Sequence, residues 1–250
     1  MLTLEWAARS DRGRRANNED SVYASPRLAV VADGVGGHAA GEVASHCAVE
    51  GLIALDKRRL TKPLTDELAE WIAWGNGTIG LVSECRPDTA GMSTTLTAVA
   101  LDNDGRYVLA NIGDSRTYLL RAGELRQLTR DDSFVQELLD AGRIDAAQAR
   151  RHPSRSLVLR ALDGEPGRAP AIETLRAAAG DRLLLCSDGL SDVVDDGVLH
   201  AVLSERRDRR ECADRLVELA LAAGGRDNVS AIVADVLPHA GREPAWPPAL

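Results

Sequence analysis

The sequence predicts an α+β fold in which antiparallel sheets pack on one another with helices outside, and three observations predict it. Short apolar runs bounded by Gly, Asp and Asn recur along the chain. Longer stretches with helical spacing come in groups rather than one after each strand. Tight turns join successive runs in the middle of the chain, so regular strand and helix alternation, the mark of a doubly wound parallel sheet, is missing.

In chain order, 27–32 (RLAVVA) is expected as a strand. The Ala-rich stretches 41–56 and 62–84 carry helical spacing and are expected as two helices. Three strands follow at 94–101 (TTLTAVAL), 106–112 (RYVLANI) and 117–121 (TYLLR), with Asn103-Asp104-Gly105 and Ala122-Gly123-Glu124 as hairpin turns. The segment 129–163 is polar and rich in Arg and Asp, so it is expected as a flap inserted between strands, with short helices of its own such as 133–141. After it come a strand at 182–186 (RLLLC), helices at 195–204 and 209–223, and a last strand at 229–237 (VSAIVADVL). One domain over 1–237 is the economical reading, and the Pro-rich stretch 238–250 (PHAGREPAWPPAL) is expected to be a disordered tail.

Composition sets bounds. Aromatic residues make up 3% of the 250, so the core must be built from Leu, Val, Ile and Ala. A net charge of −8 argues against a general nucleic-acid binder, which must neutralise phosphates with a basic surface, but favours cation binding. The four cysteines form no Cys-x-x-Cys pair and read as free thiols of a reducing cytoplasm. The start (MLTLEWAARSD) does not resemble a secretory signal, and no apolar run approaches the roughly 20 residues of a membrane span. A cytoplasmic, monomeric protein without a membrane span is the expectation.

Four aspartates each stand at the margin of an apolar run beside a glycine or turn: Asp33 (AVVADGVGGH), Asp114 (LANIGDSR), Asp188 (LLLCSDGL) and Asp227 (GGRDNVSAIV). A strand end beside such a turn lets a short carboxylate project into a shared crevice while the strand behind it stays rigid. Any one of them reads most simply as a turn cap. Four together predict an all-oxygen site, which suits Mg²⁺, Mn²⁺ or Ca²⁺ better than zinc.

The segments RANNED (15–20), DGVGGHAAGE (33–42), GMSTTLTA (91–98), IGDSR (112–116), CSDGLSD (186–192) and GGRDNVS (224–230) resemble, in order and spacing, the motif series of the type 2C protein phosphatases, the metal-dependent PPM class, in its bacterial form. The resemblance implies a four-layer α-β-β-α sandwich of two antiparallel sheets flanked by helix pairs. It further implies a centre of Mn²⁺ or Mg²⁺, two ions held tightly and a third weakly. Asp33 would bridge the pair, the Gly34 carbonyl would bind one ion, and Asp188 and Asp227 the other. Asp114, with Asp188, would hold the third, with Ser156 as a contributor, while Glu19 and Asp20 would hold waters. Arg15 matches the arginine that receives the substrate phosphate, a task that suits a guanidinium fork. A water activated between two metals would hydrolyse phosphoserine or phosphothreonine directly, with His38 donating a proton to the leaving oxygen. A Ser/Thr kinase or its targets would be the partners.

The chain departs from the family pattern in two places. Val35 follows the Asp-Gly pair where many eukaryotic members have histidine, and the stretch from Asp11 to Arg15 (DRGRR) is one residue short. Arg14 therefore competes with Arg15 for the phosphate, and the offset to Glu19 and Asp20 favours Arg15.

Other chemistries are set aside. A cysteine-dependent phosphatase needs Arg six positions after Cys, and Ile53, Gly91, Asp192 and Glu218 stand there. Gly36 and Gly41 have the spacing of a phosphate loop, but Glu42 and Val43 follow. Asp102-Asn103-Asp104-Gly105 lacks the later ligands of a calcium loop and reads as a turn. Trp71 and Trp74, three apart, are expected to pack their helix, and Cys186 to lie in the core. Arg206, Arg207, Arg209 and Arg210 read as a solvated helix face. Two rival functions remain, an inactive phosphoprotein-binding scaffold of the same fold and a small-molecule phosphohydrolase.

Overall fold

The structure is a computed structural model and describes residues 1–35 and 40–239. Its frame is the pairing of the first and last strands, β1 (Leu2–Asp11) and β11 (Val229–Pro238), which run antiparallel from Leu2 opposite Pro238 to Asp11 opposite Val229. Beyond β11 the first sheet continues through β10 (Arg182–Cys186), β7 (Arg116–Arg121) and β8 (Glu124–Gln127). The second sheet runs β2 (Asp20–Ala24), β3 (Leu28–Val35), β5 (Leu96–Leu101), β6 (Arg106–Ile112) and β9 (Ala171–Arg176), and β4 (Ser93–Thr94) pairs with the end of β3. Helices α1 (Gly41–Asp56) and α2 (Leu64–Cys85) cover the second sheet. Helices α5 (Asp188–Ser191), α6 (Asp196–Glu205) and α7 (Arg209–Ala222) cover the first.

The alternation of side chains explains why the central strands read as unbroken apolar runs. Leu28, Val30 and Ala32 of β3 face α1 and α2, while Ala29 and Val31 face the other sheet. Likewise Val229, Ala231 and Val233 of β11 pack under α7, and Ile232, Ala234 and Val236 point between the sheets. A strand buried on both faces needs apolar residues at every position. The same reasoning explains the strands that sequence reading missed. β1, β2, β8 and β9 are the four edges of the two sheets. Edge strands carry polar side chains, as in AIETLR of β9, and so show no apolar run.

Residues 129–163 lie between β8 and β9, and of them Leu162 is buried in the core under α1 and α2 and bridges Thr94 of β4. Within them α3 (Phe134–Asp140) starts at a Ser133 cap and α4 (Ala146–Arg151) at a reciprocal capping box of Asp145 and Gln148. The returning chain is held on α2, whose Asn76 accepts from the Gly164 N–H at 2.9 Å and donates to the Glu165 carbonyl at 2.9 Å. Pro238, expected to begin the tail, ends β11 instead, and 240–250 lie outside the described residues. Among the described residues no helix is long and apolar enough to cross a membrane.

One end of the sandwich is tied by a buried charge. Asp181, 2% exposed, accepts from the Tyr107 hydroxyl of the opposite sheet (2.6 Å), from Arg121 (2.7 and 2.6 Å) and from the Ala178 N–H (2.8 Å). Although burial works against the charge, the guanidinium and the donated hydrogen bonds prevail and hold the Asp181 carboxyl below the usual carboxylate range. Asp181→Asn should destabilise the protein by about 2–3 kcal/mol, and Tyr107→Phe by about 1–2 kcal/mol, in urea unfolding at pH 7. Because the folded pKa is depressed, this stabilisation is complete above the unfolded value of about 3.9 and fades as pH falls through the folded one. The gap between wild type and Asp181→Asn should therefore close in acid, and a gap constant down to pH 2 would refute this account.

Candidate metal centre

At the other end of the sandwich the strands bring the acidic residues together. Asp20 begins β2 directly opposite Asp33 near the end of β3. Asp114 follows the end of β6, Asp188 follows β10, and Asp227 precedes β11. Asp188 opens the short helix α5 rather than ending a strand.

The peptide of Asp33 is held by the threonines of the GMSTTLTA segment. Its N–H donates to Thr95 Oγ1 at 3.1 Å, and its carbonyl accepts from the Thr95 N–H at 2.8 Å and Thr94 Oγ1 at 2.9 Å. Gly34 next to it has no room for a side chain: a Cβ would lie 2.4 Å from the Gly41 carbonyl and 2.8 Å from that of Glu19. The loop bearing Arg15 is fixed by Gly13, at φ +56°, where a Cβ would fall 2.2 Å from the Asp227 carbonyl oxygen. Asn228, part of GGRDNVS but given no role from sequence, staples the same loop. Its amide donates to the carbonyls of Arg12 (3.0 Å) and Asn17 (2.8 Å) and accepts from the Glu19 N–H (2.8 Å).

The electrostatics are those of crowded like charges. Burial pushes the Asp188 carboxyl up to about 7, with the neighbouring charge of Asp192 adding to it. Asp33 is raised well above its ordinary value by burial and by the charges of Asp20, Asp188 and Asp114, and it shares a hydrogen bond with Asp188. Asp114 is raised by burial and then by Asp188 and Asp131. Asp20 rises to about 6 through burial, against the bond donated at 2.9 Å by Ser187 Oγ to its Oδ2. Its other oxygen, Oδ1, is buried without a partner.

Arg15 meets Asp227 rather than standing clear, with Nη2 2.7 Å from Oδ2, and Glu19 lies close enough to feel both charges. Ser156 lines a cleft of about 250 Å³ together with Arg155, Asp188, Asp192 and Asp227. His38 lies outside the described residues. Two aspartates escaped the sequence reading. Asp192 sits four residues after Asp188 and so on the same side of α5, a signal legible in SDGLSD, and Arg155 of the flap lies 3.5 Å from it. Asp131, 3% exposed and bound by Arg116 at 2.6 Å, had no sequence signal.

Among the described residues no three acidic, His or Cys side chains close on one point as a finished coordination sphere. The acids are neighbours, and three properties fit them to divalent cations. Their donors are hard oxygens, burial and mutual repulsion raise their pKa values, and the Asp20 Oδ1 acceptor is orphaned.

The two antiparallel sheets with their flanking helices are a fold of the protein phosphatase class, and the chain belongs to the Protein phosphatase 2C family, whose signature matches residues 9–232. It is 52% identical over 239 residues to the serine/threonine protein phosphatase PstP of Mycobacterium tuberculosis, covering 95% of this chain and 46% of that protein. The chain thus spans about half the length of that relative. It is 39% identical over 237 residues to the serine/threonine phosphatase stp of Listeria monocytogenes, covering 91% of this chain and 94% of the other. The solved catalytic domain of PstP in complex with two manganese ions superposes with a TM-score of 0.88 at 50% identity, covering 95% of this chain and all of that one.

Metal-free protein should reveal the repulsion. Carboxyls whose folded pKa is raised bind more protons folded than unfolded between about pH 4 and 7, so stability falls as pH rises through that window. The melting temperature in chelator should drop from pH 5 to pH 8, and less steeply in Asp33→Asn/Asp188→Asn. Equal slopes would show that these carboxyls are not the source.

Proposed function

We propose that this chain is a protein serine/threonine phosphatase that hydrolyses phosphoserine and phosphothreonine by direct attack of water, reversing the action of a Ser/Thr kinase. The observation that carries the reading is the crowding of Asp33, Asp188 and Asp114 at one end of a rigid sandwich, where burial and repulsion raise their pKa values. Similarity to PstP and stp supports the substrate class, and the manganese complex of PstP supports the metal.

Asp33, Asp188, Asp227 and the Gly34 carbonyl would hold two Mn²⁺ or Mg²⁺ ions, and Asp114 with Asp188, beside Ser156, would hold a weaker third. Bound there, the cations supply Lewis acidity that acidifies water and offsets phosphoryl charge. Glu19 and Asp20 would hold waters bound to those cations. Arg15 is half exposed and spends only Nη2 on Asp227, which leaves the rest of its fork for two phosphate oxygens. His38 is the proposed proton donor to the leaving oxygen. A covalent thiol route has no support: burial pushes the Cys186 thiol up to about 12 and Cys212 up to about 11.

Hydrolysis of a phosphothreonine peptide should require Mn²⁺ or Mg²⁺, stop with chelator and survive thiol alkylation. Asp33→Ala or Asp188→Ala should cut kcat/KM on the order of a thousandfold, several kcal/mol of transition-state stabilisation. Activity that survives thorough chelation would sink the metal reading.

Asp114 separates two functions. Asp114→Asn should slow the phosphopeptide, whose alkoxide leaves poorly, far more than p-nitrophenyl phosphate, whose phenolate leaves unaided. Calorimetry should still count two tight metals. Equal losses on both substrates together with vanished tight binding would make Asp114 a core ligand.

A further inference from the structure

Away from the acidic end, the connection between α1 and α2 builds a second cleft, of about 290 Å³, lined by Arg58, Arg59, Lys62, Glu70, Trp71 and Trp74. Both tryptophans pack on their helix pair, Trp71 against the core and Trp74 with a ring edge beside Gly51 of α1. Trp74, one turn on, is nevertheless 52% exposed. The two rings stand 5.8 Å apart at a tilt of 56°, and the Arg58 guanidinium lies over the Trp71 ring at 5.5 Å. Leu81, 65% exposed and seven residues beyond Trp74, continues the apolar strip along the same face of α2.

The charge here opposes that of the chain. The stretch KRRLTK (57–62) supplies four cations in six residues of a protein of net charge −8. The nearby acids are engaged: Glu70 pairs with Lys62, and Glu67 accepts from both the N–H (2.8 Å) and hydroxyl (2.7 Å) of Thr61. Among the described residues no carboxylate forms an ion pair with Lys57, Arg58 or Arg59, all exposed. The exposed part of this indole lies beside two arginines that no carboxylate among the described residues pairs with.

We propose that this face docks an acidic segment of a partner protein, with carboxylates on the forks of Arg58 and Arg59 and an apolar side chain against Trp74. Guanidinium forks bind carboxylates in two-point fashion, and tryptophan and arginine dominate the energetics of protein interfaces. The net charge of −8 over the whole chain disfavours a continuous phosphate backbone, and so favours a short acidic peptide over a nucleic acid. The surface is separate from the phosphatase reading and stands or falls without it.

Random peptides displayed on phage can be panned against the full chain, and against Arg58→Ala/Arg59→Ala and Trp74→Ala proteins of matched melting temperature. Wild type should enrich peptides that combine Asp or Glu with a large apolar residue. Synthetic copies of them should bind each variant about tenfold more weakly or worse by calorimetry. The proposal is overturned if no acidic peptides are enriched, or if they bind all three proteins alike. It is equally overturned if what the variants lose is self-association in ultracentrifugation, or binding of a single-stranded oligonucleotide, since a second copy or a nucleic acid would then be the occupant.

Discussion

Carboxylates crowded at one end of the sandwich repel one another, and the surrounding structure serves largely to keep them there. Asp33, Asp188, Asp114 and Asp20 all carry raised pKa values with burial as the leading cause, and the charge of at least one neighbouring aspartate adds to each. Left to itself such a cluster would relax by swinging side chains into water. It is prevented from doing so by backbone: Asp33 sits within a strand clamped by Thr94 and Thr95, Asp20 is paired opposite it, and Asp188 opens a helix that abuts β11. Arg15 on Asp227 and Arg155 beside Asp192 offset part of the charge from the rim.

That clamping depends on the two-faced burial of the central strands. Because β3 packs α1 and α2 on one side and the opposite sheet on the other, a slip of one residue would swap the two sets, forcing Leu28, Val30 and Ala32 into the space that Ala29 and Val31 fit and turning Asp33 to the opposite face. Register and site geometry are therefore one constraint. The small residues of the core permit it: with so few aromatics, Ala and Val at the interior positions let the sheets and helices approach closely, and Tyr107 and Tyr118 are the largest side chains fully buried.

How much of this the sequence showed follows from the same physics. The central strands and the long helices were legible because double burial forces apolar runs and the helical period. The edge strands β1, β2, β8 and β9 were not, because one open side admits Glu5, Arg9 and Glu173 among their residues. The acidic residues were legible as types at strand ends, and their motif series brought the family into view. Their pairwise contacts were not, since nothing in a one-dimensional string says that Arg15 reaches Asp227 across 212 positions. Asp131 stayed hidden for a related reason, as it lies in the irregular stretch after β8 and is buried against Arg116, fifteen residues earlier on β7.

Two buried aspartates at opposite ends of the molecule show what distinguishes a group that holds a fold from one that serves a site. Asp181 and Asp188 flank the same strand, β10, and both lose water on folding, yet their carboxyls move in opposite directions. Asp181 is met by a guanidinium, a phenol and a backbone N–H, so its charge is stabilised where it lies. Asp188 is met by Asp192, Asp227 and Asp20, so its charge is resisted. A fold gains nothing from the second arrangement, and sequences tolerate such local conflict where something outside the chain resolves it. A strand with a stabilising carboxylate at its start and a destabilising one at its end is anchored at one end and, in the function proposed above, would meet a cation at the other. Burial alone does not separate the two roles; the sign of the pKa shift does, because it records whether the protein itself has supplied the counter-charge.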